Sequence, residues 1–191
     1  RAYLYYCAID AWGNVPFSVN YTDVDYPEQK DRAFIFDFIV KEINENIDFL
    51  DETSSEKNYG RITKDAARTL LAKLYLNSDV WFNKPMWKET ENVCKEIIDD
   101  GNFIIEDVYD TNFDIDNEKS KENIFVILYD NIYTSTGSSR TSFYLHTLTL
   151  EPASMATFNI SYNPWAIILC QPDFFQLYEE NDLRRSATWL Y

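Results

Sequence analysis

The chain has 191 residues, enough to bury a real core in one or two domains. Hydrophobic residues make up 46% and only four glycines and six prolines occur, which excludes a disordered or low-complexity chain. The formal net charge of −15, with 17 basic residues scattered among 32 acids, excludes a nucleic-acid partner and docking on anionic lipid headgroups.

Arg1 to about Ala11 reads as a helix with Leu4, Cys7, Ala8 and Ala11 on one face. Trp12-Gly13-Asn14-Val15-Pro16-Phe17 breaks it, and residues 18–29, with Tyr21 and Tyr26, read as a loop. A long helix over about Lys30 to Leu50 follows. Phe36, Ile39, Val40, Ile43, Ile47 and Leu50 form its apolar stripe, and Phe34, Phe38 and Phe49 widen the band.

After the turn Tyr59-Gly60-Arg61, Thr63 stands where an N-cap belongs, with Asp65 in the first turn beside the positive end of the helix dipole. Ala67, Leu70, Leu71, Leu74 and Ser78 mark the buried face. Asn83-Lys84-Pro85 interrupts, Pro85 being suited to opening a helix. Trp87, Cys94, Ile97 and Ile98 form the next stripe, and Gly101 closes it as a left-handed C-terminal stop. A helix–turn–helix of about this size is a tetratricopeptide-type unit, and four helices in two pairs make a repeat-like scaffold.

Past Gly101 the character changes. Ile124 to Tyr129 is a β-branched and aromatic run that reads as a strand or buried extended segment. Residues 131–166 are rich in Ser, Thr, Asn and Tyr and lack a period, which marks a functional or poorly ordered loop. Pro172 is placed to open a last helix through Phe174, Phe175, Leu177 and Tyr178, ending near Asn181-Asp182. No run of 18 apolar residues offers a membrane-spanning helix.

Material for catalysis and metal binding is thin. His146 is the only histidine, and Cys7, Cys94 and Cys170 are too far apart for a metal-binding or redox pair. Asp110, Asn112, Asp114 and Asp116 alternate like the start of a calcium loop. Ile115 replaces the required glycine, and Lys121 stands where a bidentate Glu belongs. No metal site or cofactor is therefore expected. Glu42, Glu45, Glu91 and Glu96 fall on polar helix faces, so nothing singles out a hydrolytic carboxylate pair. The sequons at Asn20 and Asn159 carry little weight in so Asn- and Thr-rich a chain. Aromatics are the unusual component, at 17%, and a Tyr or Trp offers an apolar face beside a polar handle for a flat ligand.

In order, these segments resemble the SusD/RagB family of outer-membrane nutrient-binding lipoproteins. Arg1 to Tyr6 leading into Asp10-Ala11-Trp12-Gly13-Asn14-Val15-Pro16 is similar to the family's aromatic helix and its Asp-x-Phe-Gly-Asp-Val-Pro turn, with Trp12 and Asn14 substituted. Arg32 with Phe38-Ile39 and Lys41-Glu42-Ile43 is the second match. Tyr59-Gly60-Arg61-Ile62-Thr63-Lys64-Asp65-Ala66-Ala67, followed by Leu71 to Asn77, is the most distinctive. Trp87, Cys94 to Ile98 and Gly101, then Glu122 to Phe125, and finally Asp173 to Phe175 with Asp182 to Arg185, complete the series.

The resemblance implies a mostly α fold, with tetratricopeptide-like helix pairs, long irregular loops and a little β. It implies one domain over 1–191, in which 1–101 is the scaffold and 102–191 the loop-rich ligand-binding region. It further implies a surface-exposed outer-membrane protein that binds an oligosaccharide or polysaccharide without catalysis and hands it to a SusC-like TonB-dependent transporter. Family members are longer, so the chain is expected to be a central fragment, with the lipid anchor belonging only to the full-length protein.

The expected ligand contacts are Asn159, Tyr162, Asn163 and Trp165. The family often has Trp-Asn-Gly here, the indole stacking on a sugar face. This chain keeps Trp165 but continues Ala166-Ile167, leaving Asn163 to supply the polar contact. The plainer alternative has Trp165 and Tyr162 packing under the loop, and core packing is the reading for Trp12 and Trp87. Two other functions stay open: a protein–protein adaptor built on the helical groove, and a glycoside hydrolase with two facing carboxylates.

Overall fold

The computed structural model describes residues 1–22, 26–114, 116–128, 135–136, 139–140, 150–159, 161 and 163–188. They fall into two compact units, the first comprising Arg1–Ile105 with Lys121–Val126 and the second Glu106–Ser120 with Ile127–Tyr191.

The first unit is built on four helices: α1 (Ala2–Trp12), α2 (Arg32–Asn46), α3 (Lys64–Phe82) and α4 (Trp87–Asp100). Between α1 and α2, β1 (Val15–Pro16) pairs antiparallel with β2 (Gln29–Lys30), Val15 opposite Lys30. That pairing holds residues 29–30 extended, so α2 starts at Arg32, where the Asp31 carboxylate accepts from the Phe34 N–H at 2.7 Å. The helix expected to run to Leu50 instead tightens into a 3₁₀ turn at Ile47–Phe49.

Ile9, Ile35, Ile39 and Leu74 are fully buried at the centre of the unit, each contributing about 1.5–3 kcal/mol by leaving water. Phe36, Ile43, Ala67 and Leu71 are buried as the stripes of α2 and α3 lead one to expect, and Ile35 and Tyr75 join them from outside those stripes. Phe34 and Phe49, expected to widen the α2 band, are exposed. The face of α1 differs from expectation. Leu4 is 70% exposed and Cys7 and Ala11 also face solvent, whereas Ala2, Tyr5, Tyr6 and Ile9 pack inward, with Ala8 the one residue of the expected face to join them. Both stripes have helical spacing and lie about one residue apart around the helix. The inward one wins because two tyrosines and an isoleucine bury far more area than cysteine and alanine. Its polar atom is satisfied too, since the Tyr5 hydroxyl donates to the Ser18 carbonyl at 2.7 Å and accepts the Ser18 N–H at 2.9 Å. Phe17 packs against Tyr5, Phe34 and Phe38 at the same end.

Local chemistry sets the ends of α3 and α4. The Thr63 hydroxyl accepts the Ala66 N–H at 3.3 Å, and Asn83 ends α3 in the left-handed region at φ 54. Gly101 ends α4 at φ 65. Pro85 stands ahead of the N-cap, Met86.

Asp65 ties the pair together. Its fully buried carboxylate accepts from Arg68 Nη1 and from Asn102 Nδ2, both at 3.0 Å. Arg68 also pairs with Asp100 at 2.7 Å and Glu96 at 3.4 Å on α4. Two of the apolar residues expected on the inner face of α4 are exposed: Trp87 at 52% and Ile98 at 74%. Val93, Cys94 and Ile97 are half-buried, and Val93 with Met86 joins the core, so α4 meets it along a narrow strip. The extended run from Ile124 forms no strand among its described residues 124–128. Its Phe125 ring instead stands edge-on against Tyr3 at 5.6 Å.

Among its described residues the second unit has little regular structure. Their elements are 3₁₀ turns at Tyr109–Phe113, Asn117–Lys119 and Pro152–Ser154, a minimal hairpin of β3 (Ser135–Thr136) and β4 (Ser139–Arg140), and two short helices, α5 (Pro172–Phe175) and α6 (Leu183–Thr188). The single helix expected from Pro172 to Asp182 stops after one turn, with Leu177 75% exposed. Asp182 then accepts the Arg184 N–H at 3.0 Å and so caps a second helix. Arg185 lies over the Phe175 ring at 4.6 Å, joining the two.

Candidate functional site

Residues 150–169 form the loop that carries the expected ligand contacts. Its first limb is a tight turn. The Ser154 N–H and hydroxyl both donate to the Glu151 carbonyl, at 3.0 and 2.6 Å, and the Phe158 N–H donates to the Ser154 carbonyl at 3.2 Å. Asn159 then reverses the chain at φ 50, a left-handed conformation that asparagine tolerates because its short side chain bonds locally.

The return limb is pinned at two points. Pro164 is buried, and the Ala166 N–H donates to the Leu150 carbonyl at 3.1 Å. Ala166 is itself left-handed at φ 50, at about 1–2 kcal/mol of strain for a residue bearing a Cβ. In the family pattern described above this position is Asn, which adopts that conformation more readily. Alanine keeps the backbone shape and loses the side-chain polar group.

Between these pins Trp165 is 60% exposed, and Asn159 and Asn163 are exposed. Tyr162 lies outside the described residues, as does His146. Ile167, Ile168 and Leu169 extend the apolar surface beyond the indole, exposed by 66%, 51% and 56%. The loop thus presents a largely exposed indole and, in the same stretch of chain, two exposed asparagine side chains. Such a surface stacks on a ring and hydrogen-bonds its substituents.

Two tryptophans assigned to the core are on the surface instead. Trp87 is half-exposed on α4, and Trp12 is 76% exposed at the end of α1. The helix ends one residue later at Gly13, so no further turn is present to cover the Trp12 ring. Trp12 stands at the rim of an open concavity of about 630 Å³ in the first unit, whose wall includes Trp81 and Arg32. The one sequence signal for this feature was an aromatic residue set just before a Gly-Asn turn. Tyr21 and Tyr26 are fully exposed on the loop leading to β2.

Among the described residues, no three His, Cys, Asp or Glu side chains stand together as metal ligands. Nor is any described helix long and apolar enough to cross a membrane.

No protein-family model matches the chain, and no curated protein matches it either. Solved structures do. A laminarin-binding SusD-like protein superposes with a TM-score of 0.78 at 20% identity, over 98% of this chain and 43% of its own. Surface glycan-binding protein A from Bacteroides thetaiotaomicron, solved in complex with laminarihexaose, gives 0.77 at 23% identity, over 97% of this chain and 39% of its own. Its namesake from Bacteroides uniformis gives 0.74 at 19% identity, over 100% and 40%. The chain thus spans about two fifths of the length of each. Helix pairs, long irregular loops and sparse β structure together give this chain the mostly α, tetratricopeptide-like SusD fold.

Proposed function

We propose that the protein binds glycan at the bacterial cell surface without cleaving it. The observation that carries this reading is the exposed Trp165 indole, fixed between Pro164 and the Ala166 hydrogen bond in a chain whose fold matches a structure solved with laminarihexaose. Stacking on the apolar face of a sugar supplies the affinity. Asn159 and Asn163, together with Tyr162, supply hydrogen bonds to its hydroxyls. Residues 1–101 act as the scaffold and 102–191 as the ligand-binding region of one SusD-like domain. In the full-length, lipid-anchored protein the bound oligosaccharide passes to a SusC-like TonB-dependent transporter in the outer membrane. A peptide-binding adaptor would have favoured a buried Trp165, and the observed exposure speaks for the ligand surface instead.

A calorimetric screen of the complete protein against a panel of oligosaccharides tests the reading. Trp165→Ala is expected to weaken binding by about 3- to 10-fold, the value of one aromatic stacking contact. A screen in which no glycan binds removes the assignment. Release of shorter sugars from a bound oligosaccharide would make the protein a hydrolase.

A further inference from the structure

We infer that the concavity at the end of α1 is a second saccharide subsite, separate in sequence from the Trp165 loop and selective for a neutral pyranose. This rests on the glycan-binding reading above.

Three observations carry it. First, the Trp12 indole is 76% exposed at the rim of a concavity of about 630 Å³, within the roughly 300–1,000 Å³ usual for ligand sites. Second, the wall is pre-organised. Arg32 donates from Nε to the Ile9 carbonyl at 3.0 Å and lies over the Trp81 ring at 5.0 Å. Gly13, at φ 74, lets the guanidinium come close, because a Cβ there would stand 3.3 Å from Arg32 Nη2. Held this way, the two Nη groups have no hydrogen-bond partner among the described residues and remain as donors. Third, acceptors stand beside these donors. Gln29 commits its Nε2 to the Asn14 carbonyl at 3.2 Å, leaving its carbonyl oxygen open. Asp31 uses Oδ1 to cap α2 and keeps Oδ2.

An indole face next to separate donors and acceptors matches a ring with one apolar C–H face and hydroxyls around its edge. Charge decides between ligand classes. Arg32 and Asp31 cancel locally, and the whole chain carries −15, so a uronate or phosphate gains nothing here while a neutral sugar meets no penalty.

The test is titration calorimetry on the complete protein with laminari-, cello-, malto-, xylo- and mannohexaose, comparing wild type, Trp12→Ala, Trp165→Ala and the double variant. Gln29→Ala serves as a second probe of the concavity, and circular dichroism melts confirm the fold. The expected result is two ligands per chain for wild type and one for either single variant, with binding abolished in the double variant. Gln29→Ala is expected to weaken the Trp12 site alone. If Trp12→Ala keeps the wild-type stoichiometry and affinity while Trp165→Ala loses binding, the second subsite is refuted and the proposed function stands. If Trp165→Ala alone is silent, the concavity is upheld and the loop assignment falls. If none of the hexasaccharides binds wild type, both fall.

Discussion

Asp65→Ala tests whether a buried carboxylate holds the α3–α4 pair together. In the native protein that carboxylate is inaccessible to water and accepts from Arg68 Nη1 and Asn102 Nδ2, each at 3.0 Å. Hydrogen bonds to a charged group contribute about 1.5–3 kcal/mol. An acid in the first turn adds about 0.3–1 kcal/mol through the helix dipole. Arg68 keeps Asp100 at 2.7 Å and Glu96 at 3.4 Å after the substitution, so the cation is not orphaned. The loss should therefore come to about 3 kcal/mol. Arg68→Ala does more harm, about 4 kcal/mol, because it leaves Asp65 buried with only Asn102 as a side-chain donor. The double variant removes both charges and should cost about 2 kcal/mol less than the two singles added together. Urea unfolding followed by far-ultraviolet circular dichroism measures all three. The reasoning is refuted if Arg68→Ala costs under about 1 kcal/mol, or if the single effects add to within about 0.5 kcal/mol.

Glu91 gives a pH prediction. Hydrogen bonds from Lys95 and then Lys88 lower its carboxyl from the usual 4.5 to about 2. A depressed carboxylate pKa stabilises the fold above the ordinary value, and this contribution is lost as the pH falls from about 4.5 through 2. Carboxylate NMR should show the low midpoint, moving upward in about 1 M salt, where the Debye length is about 3 Å. A midpoint at 4.5 in low salt would show that the two lysines do not hold the group. Tyr5→Phe removes the hydroxyl that bonds both the N–H and the carbonyl of Ser18 and should destabilise by about 1–2 kcal/mol in urea unfolding; no change would mean that water replaces the hydroxyl freely. Gly13→Ala meets both a left-handed φ of 74 and the Arg32 guanidinium at 3.3 Å, and should lower stability by about 1–2 kcal/mol. A neutral effect there would show that the α1 terminus relaxes.

Much of the candidate site escaped the sequence for a local reason. Trp165 stands out through the resemblance, because it keeps the tryptophan of the family's Trp-Asn-Gly pattern. Its exposure was another matter. It depends on Pro164 going inward and on Ala166 turning left-handed to reach Leu150, contacts that no periodicity encodes. The helix-associated motif that contains Trp12 points to core packing. The exposure of Trp12 follows from where α1 stops relative to α2 and α3.

The sequence by itself determined the four helices of the first unit, their order, both ends of α3 and the C-terminal end of α4. Thr63, Asn83, Gly101 and the 3.6-residue stripes of α2 and α3 act through their own backbone or through neighbours a turn away, so composition and spacing suffice. Only the tertiary structure decided which face of α1 is buried, how little of α4 is covered, and that Asp65 lies in the interior bound to Arg68 and Asn102. A helix with two apolar stripes can bury either, and the area offered by residues distant in sequence makes the choice. A charge enters the core only when a partner from elsewhere in the chain arrives to meet it.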